Sequence, residues 1–170
     1  MKRKSRKRLL HLTAVAFLVC LCLGSVAGTA QSECGLEDEP NGTMQTANVL
    51  GQIPFWGSCC VMGRINGWKD FFTFTVEVGS EVTITTASRE NGDTVLTVLD
   101  AAGNPLYVND DVAPGVLQSR IDTGYLYPGV LYYIVVEGFS KSAQFNYVLY
   151  INTSPSIDPS TLPLPTPPGL

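Results

Sequence analysis

Residues 70–100 read DFFTFTVEVGSEVTITTASRENGDTVLTVLD. Three runs in this stretch alternate with a period of two, the spacing of a strand half-buried on one face. Phe72, Phe74, Val76 and Val78 fall on one face, and Thr73, Thr75 and Glu77 on the other. Val82 and Ile84 oppose Thr83 and Thr85, and residues 94–99 form a third run. Gly79-Ser80 and Glu90-Asn91-Gly92-Asp93 separate the runs. Asn-Gly tolerates the positive φ that tight turns require. The order of these strands is not readable from the pattern.

The same pattern continues outward. Leu106 to Val108 is a short strand, and residues 131–137 and 145–151 are two long ones. Met62 to Asn66 and Leu117 to Asp122 are weaker candidates. About eight short strands at near-regular spacing predict an all-β fold, an antiparallel β-sandwich or jelly roll. Residues 31–61, with Pro40, Pro54 and several glycines, read as irregular. Residues 153–170 hold six of the eleven prolines and read as a Pro-rich, disordered tail.

The start of the chain differs in kind. Lys2, Arg3, Lys4, Arg6, Lys7 and Arg8 precede an apolar stretch from Leu9 to Ala27, and small residues follow through Ala30. This is the pattern of a secretory signal peptide, with cleavage expected after Ala30. An uncleaved anchor is the alternative, since about 19 apolar residues can just span a bilayer. The expected division is therefore a signal over 1–30, a folded domain over 31–152 and a tail over 153–170.

Beyond residue 30, five basic residues stand against fifteen acidic ones, a formal charge of about −10. That disfavours nucleic acid as a partner, which needs a positive footprint. It disfavours anionic membrane surfaces for the same reason. The one histidine, His11, belongs to the export segment. A Ser-His-Asp triad, a Cys-His dyad and a His-ligated zinc are thereby excluded from the exported chain, and no pair of carboxylates stands out for glycoside hydrolysis. Cys34, Cys59 and Cys60 remain, and in an exported protein a disulfide is expected. Cys34 pairing with either Cys59 or Cys60 is favoured, because adjacent cysteines close only a strained ring.

Several segments together resemble the bacterial pre-peptidase C-terminal domain family. Glu37-Asp38-Glu39-Pro40-Asn41-Gly42-Thr43 with Ala47 is similar to its E-P-N-D-T opening. Gly63-Arg64-Ile65 followed by Asp70-Phe71-Phe72-Thr73-Phe74 resembles its G-x-I…D-x-D-[WYF]-F-x-F strand. Leu96-Thr97-Val98-Leu99-Asp100 with Gly103, Asn109-Asp110-Asp111, Pro128-Gly129 with Tyr132 to Val136, and Tyr147-Val148-Leu149 resemble the later motifs in order. The resemblance covers residues 36–152. It implies a jelly-roll β-sandwich that serves as an accessory module, and it includes the calcium-holding, collagen-binding domains of bacterial collagenases. Gly42 and Trp68 depart from the pattern, Trp68 standing where the first Asp of D-x-D is expected.

Two candidate sites follow. Glu37, Glu39 and Asn41 alternate, so an extended segment points all three the same way. The family places Asp70 beside them, which makes these four oxygen-bearing residues the expected calcium ligands. Trp56 and Trp68, in Gly-flanked loop contexts, are the expected ligand-binding aromatics. Asn109-Asp110-Asp111 reads as a turn capped by its own side chains. The function expected is a non-catalytic module, secreted or in the cell envelope, that binds an extracellular protein or polysaccharide. The alternative is a structural or secretion-assisting envelope domain that acts with a separate peptidase and has no ligand of its own.

Overall fold

Where the sequence alternates, the chain runs as strand. The computed structural model describes residues 34–157. The expected signal segment and the end of the tail lie outside the described residues. Ten strands are present: β1 (Gly35–Leu36), β2 (Asn48–Ile53), β3 (Ser58–Asn66), β4 (Asp70–Val76), β5 (Ser80–Ala87), β6 (Thr94–Leu99), β7 (Pro105–Asn109), β8 (Arg120–Asp122), β9 (Tyr132–Gly138) and β10 (Gln144–Pro155). One 3₁₀ turn spans Met44–Thr46. The strands form two five-stranded sheets. Sheet I has the order β1-β3-β10-β5-β8, and sheet II the order β2-β4-β9-β6-β7.

The inward faces meet in one core. Phe72, Phe74 and Val76 of β4, Val82 and Ile84 of β5, and Leu96 and Val98 of β6 are all buried. Ile134 and Val136 of β9 and Leu149 and Ile151 of β10 close it. Burying each such side chain contributes about 1.5–3 kcal/mol before chain entropy is counted. The fold class is the expected all-β sandwich.

Four details differ from the sequence reading. First, the described part of 31–61 is not irregular, since residues 34–61 hold β1, β2 and the start of β3. These strands step between sheets, so β2 pairs with β4 rather than with its neighbour β3, and no hairpin spacing marks it. Gly51, at φ +83°, also sits at a register shift that breaks the alternation, leaving Leu50 and Ile53 as the buried pair. Second, β1–β3 and β2–β4 are parallel, so both sheets are mixed. Third, the candidate strand over 117–122 is ordered as strand only over Arg120–Asp122. Fourth, β10 continues through Pro155, three residues into the expected tail. Proline is tolerated there because it occupies the last ladder position, opposite Ser80.

Cys34 and Cys60 form the disulfide, with Cα atoms 4.7 Å apart. Strand alternation chooses between the two vicinal cysteines. Cys59 shares its face with Val61 and Ile65 and is buried in the core. Cys60 therefore points to the opposite face, where Cys34 covers it. The bridge closes a separation of 26 residues, for which the chain-entropy model gives about 3.5 kcal/mol as an upper figure.

Reduction should therefore lower the unfolding midpoint markedly, and Cys60→Ser should reproduce that loss. Cys59→Ala should keep the sensitivity to reductant. Urea titrations with and without dithiothreitol check this, and equal midpoints would contradict it.

Candidate cation site and binding cleft

The N-terminal segment is extended and lies along the edge of sheet I. Glu37 N–H donates to Met62 O (3.0 Å), and Phe71 N–H donates to Asn41 O (2.9 Å), so the segment bridges β3 and β4. Asn48 clamps it from β2. Its side-chain amide donates to Asp38 O (2.7 Å), and its Oδ1 accepts from Asp38 N–H (3.0 Å).

Three expected ligands converge on this segment. Asp70 opens β4 on the inward face and is buried. Tyr147 reaches from the inward face of β10 in the opposite sheet and donates its hydroxyl to Asp70 Oδ2 (2.7 Å). The same hydroxyl lies 3.3 Å from Glu37 Oε2. The Asn41 amide nitrogen is 3.4 Å from that Glu37 oxygen, and Glu37 Oε1 accepts Arg64 N–H (2.6 Å). Gly63 makes the room. A Cβ there would collide with the Tyr147 hydroxyl and Glu37 Oε2. Asn41 is 0% exposed, and its Oδ1 is buried with no hydrogen-bond donor. Glu39 is exposed and turns back onto its own segment, accepting Asn41 N–H (2.9 Å).

The electrostatics follow from this crowding. Burial first, and then the nearby Glu37 and Glu39 carboxylates, push Asp70 up to about 8, against the stabilising hydrogen bond from Tyr147. Burial is likewise the main cause that raises Glu37. Tyr147 is pushed well above the usual phenol range by burial and by the adjacent Asp70 and Glu37 charges. The donor set is all oxygen, with one acceptor orphaned, which suits a hard divalent cation such as calcium.

A second acidic group lies where β6 begins and β7 ends. Among the described residues, Asp93, Asp110 and Asp111 bring carboxylate oxygens within 4.8 Å of one another, an arrangement that could hold a metal ion. Burial, then Asp110 and Asp111, raise Asp93. The turn reading of this segment holds in part, because Asn109 Nδ2–H donates to Asp111 O (3.2 Å). Buried hydroxyls anchor the loop. Thr86, Thr94 and Ser119 bond to one another, and Ser119 donates to Asp110 O (2.7 Å). Asp93 went unmarked in the sequence reading because no linear spacing connects it to residues 110–111.

The two tryptophans are exposed, Trp56 by 71% and Trp68 by 78%. They flank β3 at its two ends, roughly 30 Å apart at about 3.4 Å per strand residue, so they do not make one surface. A concavity lies elsewhere, on the outer face of sheet I, with a volume of about 740 Å³. Leu36 and Glu37 line it on one side, and Arg89 and Glu90 on the other. Met62, Val148 and Tyr150 lie between. Glu37, Gly63 and Tyr147 belong to both the cleft and the acidic site. Alternation marks Met62, Val148 and Tyr150 as outward, but only the sheet order shows that they adjoin.

No family model matches the chain, and no curated protein matches it. Among solved structures it is similar to the pre-peptidase C-terminal domain of a Bacillus anthracis collagenase. That likeness has 14% identity and a TM-score of 0.49, covering 62% of this chain and 96% of that one. It is also similar to the Aeromonas hydrophila periplasmic inhibitor of g-type lysozyme, PliG (16% identity, TM-score 0.44, 62% and 97% covered). A third likeness is to the Yersinia pseudotuberculosis-derived mitogen (18% identity, TM-score 0.44, 65% and 97% covered).

Asp70 makes the stability of the metal-free protein depend on pH. Its carboxyl holds a proton up to about pH 8 when folded and releases it near 3.8 when unfolded. The raised value stabilises the fold fully below about pH 4, and that contribution is lost as pH rises through 8. Asp100, held low by Asn104, and Asp122, held low by Arg120, titrate below that window. In EGTA, the urea midpoint should fall from pH 5 to pH 8.5, and Asp70→Asn should flatten the profile. A wild-type midpoint that rises over that range would refute the assignment.

Proposed function

We propose that the chain is an exported, non-catalytic β-sandwich module that binds an extracellular protein or polysaccharide in the cleft on the outer face of sheet I. The observation that carries this reading is the cleft itself, about 740 Å³ with a mixed apolar and charged lining. Concavities of this size with a few convergent polar groups are the usual form of ligand sites. The disulfide supports an oxidising compartment. His11 lies in the export segment, so the described residues hold no imidazole for acid–base work. Asp70 and Glu37 are engaged by Tyr147, Asn41 and a backbone N–H, while Asp93 and Asp110 each keep one buried oxygen without a donor.

Calcium is proposed to bind at Glu37, Glu39, Asn41 and Asp70. The support is Asn41 Oδ1, an acceptor fully withdrawn from water, without a donor, among carboxyl groups. Leaving such an acceptor unsatisfied costs about 1–3 kcal/mol, which a cation would recover. The ion would tie the segment that forms one wall of the cleft to β4.

Binding is tested by retention on immobilised matrix proteins and cell-wall polymers. A Val148→Asp substitution in the cleft floor should abolish retention, while Trp56→Ala should leave it. Val148→Asp retained as well as wild type would remove the cleft from the argument. Calcium is tested by melts in EGTA and in excess calcium. The two should differ by several degrees, since ligand at 100 times its Kd adds about 2.7 kcal/mol. Asn41→Ala should erase that difference and Asp110→Asn should keep it. The reverse outcome would place the ion at the second acidic group.

A further inference from the structure

We propose that the occupant of the cleft is an extended peptide carrying both aliphatic side chains and carboxylates. The proposal rests on the reading of the cleft as the binding surface and names its partner.

The first argument is charge. The described residues hold five cations against thirteen carboxylates. Two of the cations are committed, Lys69 to Glu137 (3.0 Å) and Arg120 to Asp122 (2.8 Å). Arg64 and Arg89 both line the cleft, both are exposed, and neither enters an ion pair among the described residues. Arg64 pairs with Asn146 across β3 and β10. Arg89 lies in the turn that follows β5, whose last residue, Ala87, pairs with Val148 of β10. Its neighbour Glu90 bonds Asn146, which holds that turn beside β10.

The carboxylates in the same cleft are already used. Glu37 Oε1 takes the Arg64 backbone N–H, and Oε2 faces Asn41 and Tyr147. Glu90 is clamped to Asn146, accepting its side-chain amide at 2.7 Å and its backbone N–H at 3.1 Å. The guanidinium groups keep their donor forks for an incoming carboxylate, the geometry they match best.

The second argument is the lining. Leu36 is 64% exposed, and Met62 and Tyr150 are also exposed on this face. With Val148 and Ala87 they make an aliphatic floor between the arginines. Alternate side chains of an extended peptide, about 6.8 Å apart, can reach such a floor and the cations beside it. Methionine adapts to aliphatic side chains of varied shape. A neutral polysaccharide stacks best on flat aromatic platforms. Here Tyr150 stands alone on the outer face, Tyr147 is held by Asp70, and both tryptophans lie outside the cleft.

The test is fluorescence anisotropy on the purified protein with three labelled peptides, alternating Leu-Glu, Leu-Lys and Gln-Glu. The Leu-Glu peptide should bind at least tenfold tighter than the other two. Its affinity should weaken as salt rises from about 0.05 to 0.5 M. The double variant R64Q/R89Q should lose about tenfold with an unchanged melting temperature. Equal binding of Leu-Lys, or full affinity in R64Q/R89Q, would overturn the acidic partner. If Val148→Asp still abolished that binding, the cleft reading would survive. Displacement of Leu-Glu by polygalacturonate at lower charge concentration would overturn the peptide in favour of an acidic polysaccharide. Absence of binding by every peptide, with retention on polymers unaffected by Val148→Asp, would sink both the partner and the cleft.

Discussion

The hydrogen bond from Tyr147 to Asp70 joins the two sheets at one end of the sandwich, and the acidic site and the cleft adjoin it. Elsewhere the sheets meet mainly by apolar contact, which is non-directional, with the buried Thr86–Thr94 hydroxyl pair as a second polar link. At this end a phenol from β10 meets a carboxyl from β4, with Glu37 of the N-terminal segment beside them. The geometry is demanding, because both polar groups lie away from water and Gly63 must leave them space. It is also electrostatically costly, as the raised Asp70 shows. A fold can relieve clustered buried carboxyls with a proton or with a cation. Asn41 Oδ1, without a donor, suits the second remedy more than the first.

That arrangement reaches the cleft through a short piece of chain. β1 is two residues long, too short to hold itself against β3 by ladder bonds alone. Two devices flank it, the Cys34–Cys60 bridge before it and the Glu37 cluster after it. Leu36, the exposed wall of the cleft, sits between the two. The shape of the cleft therefore depends on a covalent bond and on a polar cluster, not on burial of the strand itself.

The central strands were legible because their pattern is a consequence of their burial. Phe72, Phe74 and Val76 alternate with threonines because one face meets the other sheet and the other does not. The boundaries over 94–99 agree for the same reason, with turns at Arg89-Glu90 before the strand and at Ala101-Ala102 after it. β2 was not legible. Its pairing is with β4 across an intervening strand, and its bulge at Gly51 spaces the buried residues by three. Glu37, Asn41 and Asp70 were identified from local spacing and family resemblance. Tyr147 was not, because it sits in a strand that reads as core and its hydroxyl matters only once Asp70 is opposite. Cys60 was not separable from Cys59 until the inward face of β3 was known.

The arginines of the cleft show what composition conceals. A strongly acidic chain suggests cationic or neutral partners, since its mean field repels anions. Beyond a Debye length of about 8–10 Å, however, that mean field is largely screened, and the groups within the cleft decide. There, Glu37 and Glu90 have their oxygens facing N–H donors, and Arg64 and Arg89 do not have carboxylates. Two arginines against two glutamates leave the cleft near formal neutrality, where the chain as a whole is acidic. The proposed acidic ligand would meet a repulsive body and one place where two guanidinium groups lack carboxylate partners. Specificity would arise from that contrast, because the repulsion disfavours every other binding mode.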